Sequence, residues 1–293
     1  MTAVEPLSQA YREALAAALV SIREGQVPFV PAALGLRRRR PRAHFHATPE
    51  FFVQTGGASR FECPHDIFEL PAGRTCIIPA GVPHAESPRH TSSAYGIVVC
   101  MQARDGILFQ RARSESPGGI DGYALHHVPS QRGRDAFGLL ERVDTARHLP
   151  EADQAAYRRA LAEAFLLTIM AELAQPSVPT LGSPLVAEAE KLALSGLSDA
   201  GLTVARIGRG LGCSADHLSR EFKAARGVSL KAWITRERIA LARDLLAGSR
   251  HQVAEVGWAC GFARPSYFIR VFSAHTGVTP GDFRRRAALS TNA

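Results

Sequence analysis

None of the five cysteines (Cys63, Cys76, Cys100, Cys213, Cys260) stands in a CxxC pair, and their number is odd. That argues against a disulfide framework and against a thiolate zinc site, and leaves isolated buried thiols as the expectation. No apolar run reaches the roughly 18 residues that a membrane helix needs, so no membrane partner is expected. The opening stretch MTAVEPLSQAYREALAAALVSIREG has a short Ala-rich run but lacks a basic start and carries acids on both sides. It reads as a helix and not as a secretory signal, so a cytoplasmic location is expected. Hydrophobic residues at 46% and charged residues at 21% are the ordinary balance of a chain that folds around a core. The length, 293 residues, suffices for two domains.

Acids are also scarce where bases are not. Residues 183–293 hold 16 Lys+Arg against 9 Asp+Glu, so nearly all of the net charge of +8 sits in the last third. An anionic partner is expected for that part, most simply double-stranded DNA.

Three textures succeed one another along the chain. Between about Val27 and Ser130, short β-prone runs (HFHATPEFFVQTG, SRFEC, HDIFELPAG, RTCIIPAG, YGIVVCMQ, GILFQRA) alternate with Gly and Pro. That spacing suggests an antiparallel barrel or sandwich. Residues 151–173 have an acidic start and an apolar stripe through Ala160, Phe165, Leu166, Ile169 and Leu173, the period of a helix. Residues 175–184, QPSVPTLGSP, contain three prolines and a glycine and read as a linker. The expected domains are therefore residues 1–174 and 185–293, an α+β chain whose second domain is all-α.

The second domain contains a doubled unit. Residues 203–229 and 252–279 superimpose on a shift of 50, which pairs Val204 with Ala254, Leu218 with Phe268, Arg220 with Arg270, Phe222 with Phe272 and Gly227 with Gly277. Each copy reads as a short helix, a glycine-bearing turn and a second helix, the layout of a helix-turn-helix over residues 203–226 and 252–276. At 100° per residue, Phe268, Val271, Phe272 and His275 share the inner face of one second helix, and Leu218, Phe222 and Ala225 that of the other. Asp216, Ser219, Arg220 and Lys223 face outward in the first unit; Ala263, Ser266, Ile269, Arg270 and Ser273 do so in the second. A face of small side chains around one arginine suits close entry into a major groove. Residues 230–247 form a connecting helix whose apolar side chains are Trp233, Ile234, Ile239, Ala242, Leu245 and Leu246.

Over roughly its last 100 residues the chain resembles the AraC/XylS-type transcription regulators. Ala254-Glu255-Val256-Gly257, Cys260-Gly261-Phe262, Ser266-Tyr267-Phe268, Arg270-Val271-Phe272, Gly277-Val278-Thr279-Pro280 and Phe283-Arg284 carry the resemblance, with His217-Leu218-Ser219-Arg220 and Phe222-Lys223 in the first unit. It implies two recognition helices in successive major grooves. Asp216, Ser219 and Arg220 would face bases in one half-site, and Ser266, Ile269 and Arg270 in the other. Lys223, Lys231 and Arg284 to Arg286 are the candidates for phosphate contacts, which position without reading sequence. The resemblance further implies RNA polymerase as a partner, activation as the usual outcome, and subunit pairing in a homodimer near residues 151–173.

In the first domain, His44, His46, Glu50 and Gly57, followed by Gly73, Pro79, Gly81 and His84, resemble the two motifs of the cupin barrel. On a strand, His44 and His46 would point to one side, the barrel interior. Two readings follow for His44, His46, Glu50 and His84. They hold a divalent transition metal such as Fe, Mn, Ni, Cu or Zn, or they line a pocket for a small-molecule effector with no cofactor. The run Arg37 to Arg40 with Arg42 reads as a solvated strand face or as a cationic barrel mouth. The function expected of the whole is an effector-responsive, DNA-binding regulator and not an enzyme. The competing expectation is a metal-dependent cupin enzyme fused to a DNA-binding domain.

Overall fold

The structure, a computed structural model, describes residues 4–31, 46, 48–89, 94–103, 106–114, 122–175, 183–248 and 251–291. It divides into two units, residues 1–177 and 178–293. Most of the expected linker, and the arginine run at Arg37 to Arg40 and Arg42, lie outside the described residues.

The first unit opens with helix α1 (Val4–Arg23). Strands follow: β1 (Glu50–Gly56), β2 (Ala58–Glu62), β3 (Ile67–Pro71), β4 (Thr75–Ile78), β5 (Ala85–Pro88), β6 (Tyr95–Ala103), β7 (Gly106–Ser114) and β8 (Gly122–Pro129). They form two antiparallel sheets, ordered β4-β1-β6-β7-β8 and β3-β2-β5. Among the described residues the two sheets share no ladder, so there they are not closed into the barrel that was one of the two arrangements expected from the sequence. Gly57, at φ 63°, turns the chain from β1 in one sheet to β2 in the other, a conformation that favours glycine. The sheets meet through side chains, with Phe52 edge-on to Phe61 at 5.1 Å.

Strand β1 is buried on both faces because both have cover. Phe51 and Val53 point to a helical layer of α1, α2 (Gln131–Glu141) and α3 (Glu151–Leu173). Phe51 lies 5.3 Å from Phe165, and Tyr11 of α1 5.4 Å from Phe109. Helix α2 starts at Gln131 because Ser130 caps it, accepting from the Gly133 N–H at 2.8 Å. Helix α3 buries Ala162, Phe165, Leu166, Ile169 and Leu173, an i, i+3, i+4, i+7, i+11 series. Ala160, assigned to that stripe from the sequence, is exposed; it is out of phase with the series. The stripe is therefore spent on its own sheet, and among the described residues of these helices the exposed large apolar side chains are Val20 and Leu167.

The second unit is all-α. Helices α4 (Pro184–Ser195), α5 (Val204–Gly210) and α6 (Ala215–Arg226) pack on one part of α7 (Leu230–Gly248); α8 (Val253–Ala259), α9 (Pro265–Thr276) and α10 (Pro280–Thr291) pack on another. All six apolar residues assigned to the connecting helix are buried. Trp233 closes the first core against Phe222 at 5.8 Å, and a run of rings, Phe262, Phe268, Phe272 and Phe283, fills the second.

The repeat is real but its register is not uniform. Helices α6 and α9 stand 50 residues apart, whereas α5 and α8 stand 49 apart. The turn after α8 is thus one residue longer, and Val204 corresponds to Val253 rather than to Ala254. The left-handed turn glycines, Gly212 and Gly261, keep the offset of 49. In each unit a glycine allows the first helix to approach its neighbour. A Cβ on Gly208 would lie 2.9 Å from the Cys213 carbonyl, and one on Gly257 2.8 Å from the Phe268 ring.

Candidate functional site

Helix α6 begins at Ser214, whose Oγ accepts from the His217 N–H at 3.2 Å, and ends at Gly227 in the left-handed conformation. Leu218 and Phe222 are fully buried. That fixes the rotation of the helix and leaves Asp216, Arg220 and Lys223 exposed. Ser219 is half-buried and its hydroxyl donates to the Ala215 carbonyl at 2.7 Å, so what it offers a partner is an acceptor. Ala225, assigned inward from the sequence, is exposed; it lies in the last turn, beyond the reach of the core.

Helix α9 is held the same way by Phe268 and Phe272, both fully buried. Ser266, Ile269 and Arg270 are exposed, Ile269 at 39%. His275 does not join the core as assigned: it is exposed, and its Nδ1 lies 2.8 Å from the Val271 carbonyl. Tyr267, an aromatic that the sequence left without a role, is 45% exposed, and the Arg270 guanidinium lies 5.3 Å over its ring. An aromatic at i and an arginine at i+3 are neighbours on a helix, so the pair was visible in the sequence; the exposure of the ring was not.

Two of the proposed phosphate ligands are otherwise engaged. Arg284 donates to the His251 carbonyl, and Arg285 pairs with Asp282. Lys223 and Lys231 remain exposed. Arg238 of α7 is a joint between the two helix-turn-helix units of the second part of the chain. Its Nε donates to the Leu197 carbonyl at 3.0 Å and its Nη2 to that of Asp199 at 2.6 Å, and it lies 5.9 Å over the Phe262 ring beside the second turn.

In the first unit a polar cluster lies between the sheets. Glu50 bridges two imidazoles: its Oε1 lies 3.5 Å from His46 Nε2 and its Oε2 3.1 Å from His84 Nε2. Glu50 and His84 are buried. The Val82 carbonyl, 3.1 Å from His84 Nδ1, can only accept, so it fixes a proton on that nitrogen. Gln54, Ser59 and Tyr95 form a second string, at 2.7 and 2.9 Å. His46 does not lie on a strand, as the sequence reading required, but before β1; His44 lies outside the described residues. Among the described residues, no three His, Cys, Asp or Glu side chains gather as metal ligands do.

Burial pushes the His46 pKa down, and the neighbouring His84 adds to that against the pull of Glu50. Burial alone would lower His84 too, but Glu50, as charge and as acceptor, outweighs it and the pKa is raised. Burial pushes Glu86 up to about 7, with His84 opposing and Glu50 adding; its Oε2 is enclosed without a hydrogen-bond partner. His46 works the other way, since its pKa falls on folding, but above pH 6.5 its unfolded form is less than half protonated and that contribution fades, so Glu86 and His84 set the slope. Both bind protons more tightly when folded, so stability is lost as pH rises. The melting temperature of the first unit is expected to fall from pH 6.5 to pH 8, and Glu86→Gln to flatten the fall, measured by calorimetry. The buried thiols of Cys76, Cys100 and Cys260 are pushed up, chiefly by burial, and stay protonated.

Residues 207–286 match a family described as a helix-turn-helix domain. The chain is 33% identical over 124 residues to the arabinose operon regulatory protein of Salmonella typhimurium, covering 42% of this chain and 44% of that one. It is 35% identical over 69 residues to the HTH-type transcriptional activator RhaR of Yersinia pseudotuberculosis, covering 24% of each. The chain thus spans less than half the length of these curated relatives. Among solved structures it is similar to the C-terminal domain of AraT, a response regulator from Geobacillus stearothermophilus (28% identity, TM-score 0.36, 36% of this chain and 88% of that one). It is also similar to the DNA-binding domain of AdpA in complex with a target DNA (27% identity, TM-score 0.34, 36% and 93%).

Proposed function

We propose that this chain is a sequence-specific transcription regulator of the AraC type and not an enzyme, a reading supported by the match of residues 207–286 to a helix-turn-helix domain and by the likeness to the arabinose operon regulatory protein. The single observation that carries the reading is the pair of matched second helices, α6 and α9. Each is locked by two buried aromatic or aliphatic side chains and presents an exposed arginine, Arg220 or Arg270, on its outer face. Helix α7, 19 residues and so roughly 28 Å long, separates the two units by about the span of a helical turn of DNA. Arg220 and Arg270 would read guanine O6 and N7, Asp216 would accept from cytosine N4, and Ile269 would touch a thymine methyl. Ser219 and Ser266 keep the two faces low enough to enter a groove, and Lys223 would hold a phosphate.

The test is selection of duplexes from a random-sequence pool by the full-length chain. Two recognition sequences about 10 bp apart are expected. Affinity for the selected duplex should drop by about a thousandfold or more between 50 and 200 mM salt if six or more phosphates are contacted. Recovery of no preferred sequence would overturn the reading.

The intersheet cluster of His46, Glu50 and His84 is proposed as the effector site, together with His44, which lies outside the described residues, and subunit pairing through the exposed Val20 and Leu167 completes a homodimer that engages RNA polymerase as an activator. An effector acts only through its different affinity for the arrangements of the two DNA-binding units. A metabolite that raises the melting temperature of the first unit without altering DNA affinity or sedimentation would speak against that coupling.

A further inference from the structure

We infer that Tyr267 is a positioning residue of the second recognition helix, holding the Arg270 guanidinium in place for base contact. The inference rests on the reading of α9 as a recognition helix. Tyr267 is the largest side chain on α9 outside the core, and nearly half of it is open to solvent. A tyrosine kept for packing alone would be sealed like Phe268 and Phe272. Its ring is not loose either: it lies 6.1 Å from the ring of Phe262, itself buried. Phe262 is thus a fixed backing, Tyr267 a platform against it, and Arg270, one turn on, lies over the platform with its guanidinium carbon 5.3 Å from the ring centroid.

The chemistry suits the task. A guanidinium lying over a ring spends its face on the ring and keeps its N–H edge, the part that forms a bidentate fork with guanine. A free arginine side chain loses rotamer entropy when it is fixed; one already leaning on a ring has less to lose on binding. The matching position in α6, beside Arg220, is His217, a smaller ring. The two half-sites therefore differ: Arg270 is held beforehand by its neighbour, and its base preference is expected to be the sharper.

The experiment is a double-mutant cycle in the full-length chain, read as affinity for a duplex selected from a random pool by the unsubstituted protein. Tyr267→Ala and Tyr267→Leu should each weaken binding about two- to fivefold and relax base preference only at the position Arg270 reads. Tyr267→Phe should bind as the parent does. In an Arg270→Ala background, Tyr267→Leu should add nothing. Should Tyr267→Leu bind like the parent, or cost as much with Arg270 absent as with it present, the positioning role is wrong. Should Arg270→Ala itself leave affinity and preference untouched, the recognition-helix reading falls and this inference with it. Unfolding followed by the fluorescence of Trp233 and Trp258 is expected to be unchanged in Tyr267→Phe and Tyr267→Leu. Loss of binding that tracks a lowered unfolding midpoint in both would make the ring a packing element and overturn the inference.

Discussion

Arg220→Ala and Arg270→Ala are each expected to weaken binding to a selected duplex by about 1–3 kcal/mol, roughly five- to 150-fold. Each should relax base preference in its own half-site and leave the other unchanged. The two side chains are exposed on helices whose opposite faces are sealed by Leu218 and Phe222, or by Phe268 and Phe272, so their removal leaves the cores intact. Lys223→Ala is the informative contrast. It should weaken binding to any duplex alike and lower the salt dependence by about one unit of slope, because a phosphate contact carries no sequence information. If Arg220→Ala and Arg270→Ala behaved like Lys223→Ala, the outward faces of α6 and α9 would be phosphate ridges and the source of any sequence preference would have to be sought elsewhere.

Gly261→Ala is expected to destabilise the second unit by on the order of 3 kcal/mol or more. Gly277→Ala should cost about 1 kcal/mol. Both glycines sit in the left-handed region, at φ 74° and 75°, so both substitutions carry the same conformational penalty. They differ in surroundings. A Cβ on Gly261 would lie 2.2 Å from the Leu197 carbonyl oxygen and 2.7 Å from Arg238 Nη2, whereas nothing lies within 4 Å of one on Gly277. The Leu197 carbonyl is itself held by Arg238, so relieving the clash means breaking the joint between the two helix-turn-helix units. Both tryptophans of the chain, Trp233 and Trp258, lie in this unit, so urea unfolding followed by their fluorescence reports it without interference from the first. Equal costs for the two substitutions would show that the turn after α8 has room to shift and that Arg238 does not pin it.

Much of the second unit was legible because helical period and burial coincide there. Leu218 and Phe222 in α6, and Phe268 and Phe272 in α9, are the apolar residues that a 3.6-residue period selects, and α3 of the first unit buries its stripe in the same way. The misreadings occurred at the ends of the period. Ala225 and His275 have the right phase or near it but lie in the last turns of their helices, where no facing element covers them, whereas Ala160 is out of phase with the buried series of α3. The one-residue difference between the repeats escaped because Val253 and Ala254 both suit the pairing, and only backbone conformation at Gly212 and Gly261 distinguishes an offset of 49 from one of 50. In the first unit the motif spacing placed Glu50 and His84 in one cluster, as found, but neither the start of β1 nor the separation into two sheets could be read from spacing.

By itself the sequence determined a two-part chain, an all-helical basic second part with a doubled helix-turn-helix, and the two arginines that its geometry turns outward. These follow from periodicity, charge and repetition, which are local properties of the chain. Tertiary structure alone decided that Arg284 and Arg285 are spent within the fold, that Tyr267 stands open beneath Arg270, that the α3 stripe covers its own sheet, and that Glu50 joins two imidazoles between unclosed sheets. Each of these depends on which distant backbone or ring comes to lie beside a side chain, and that is settled only when segments far apart in the chain pack together.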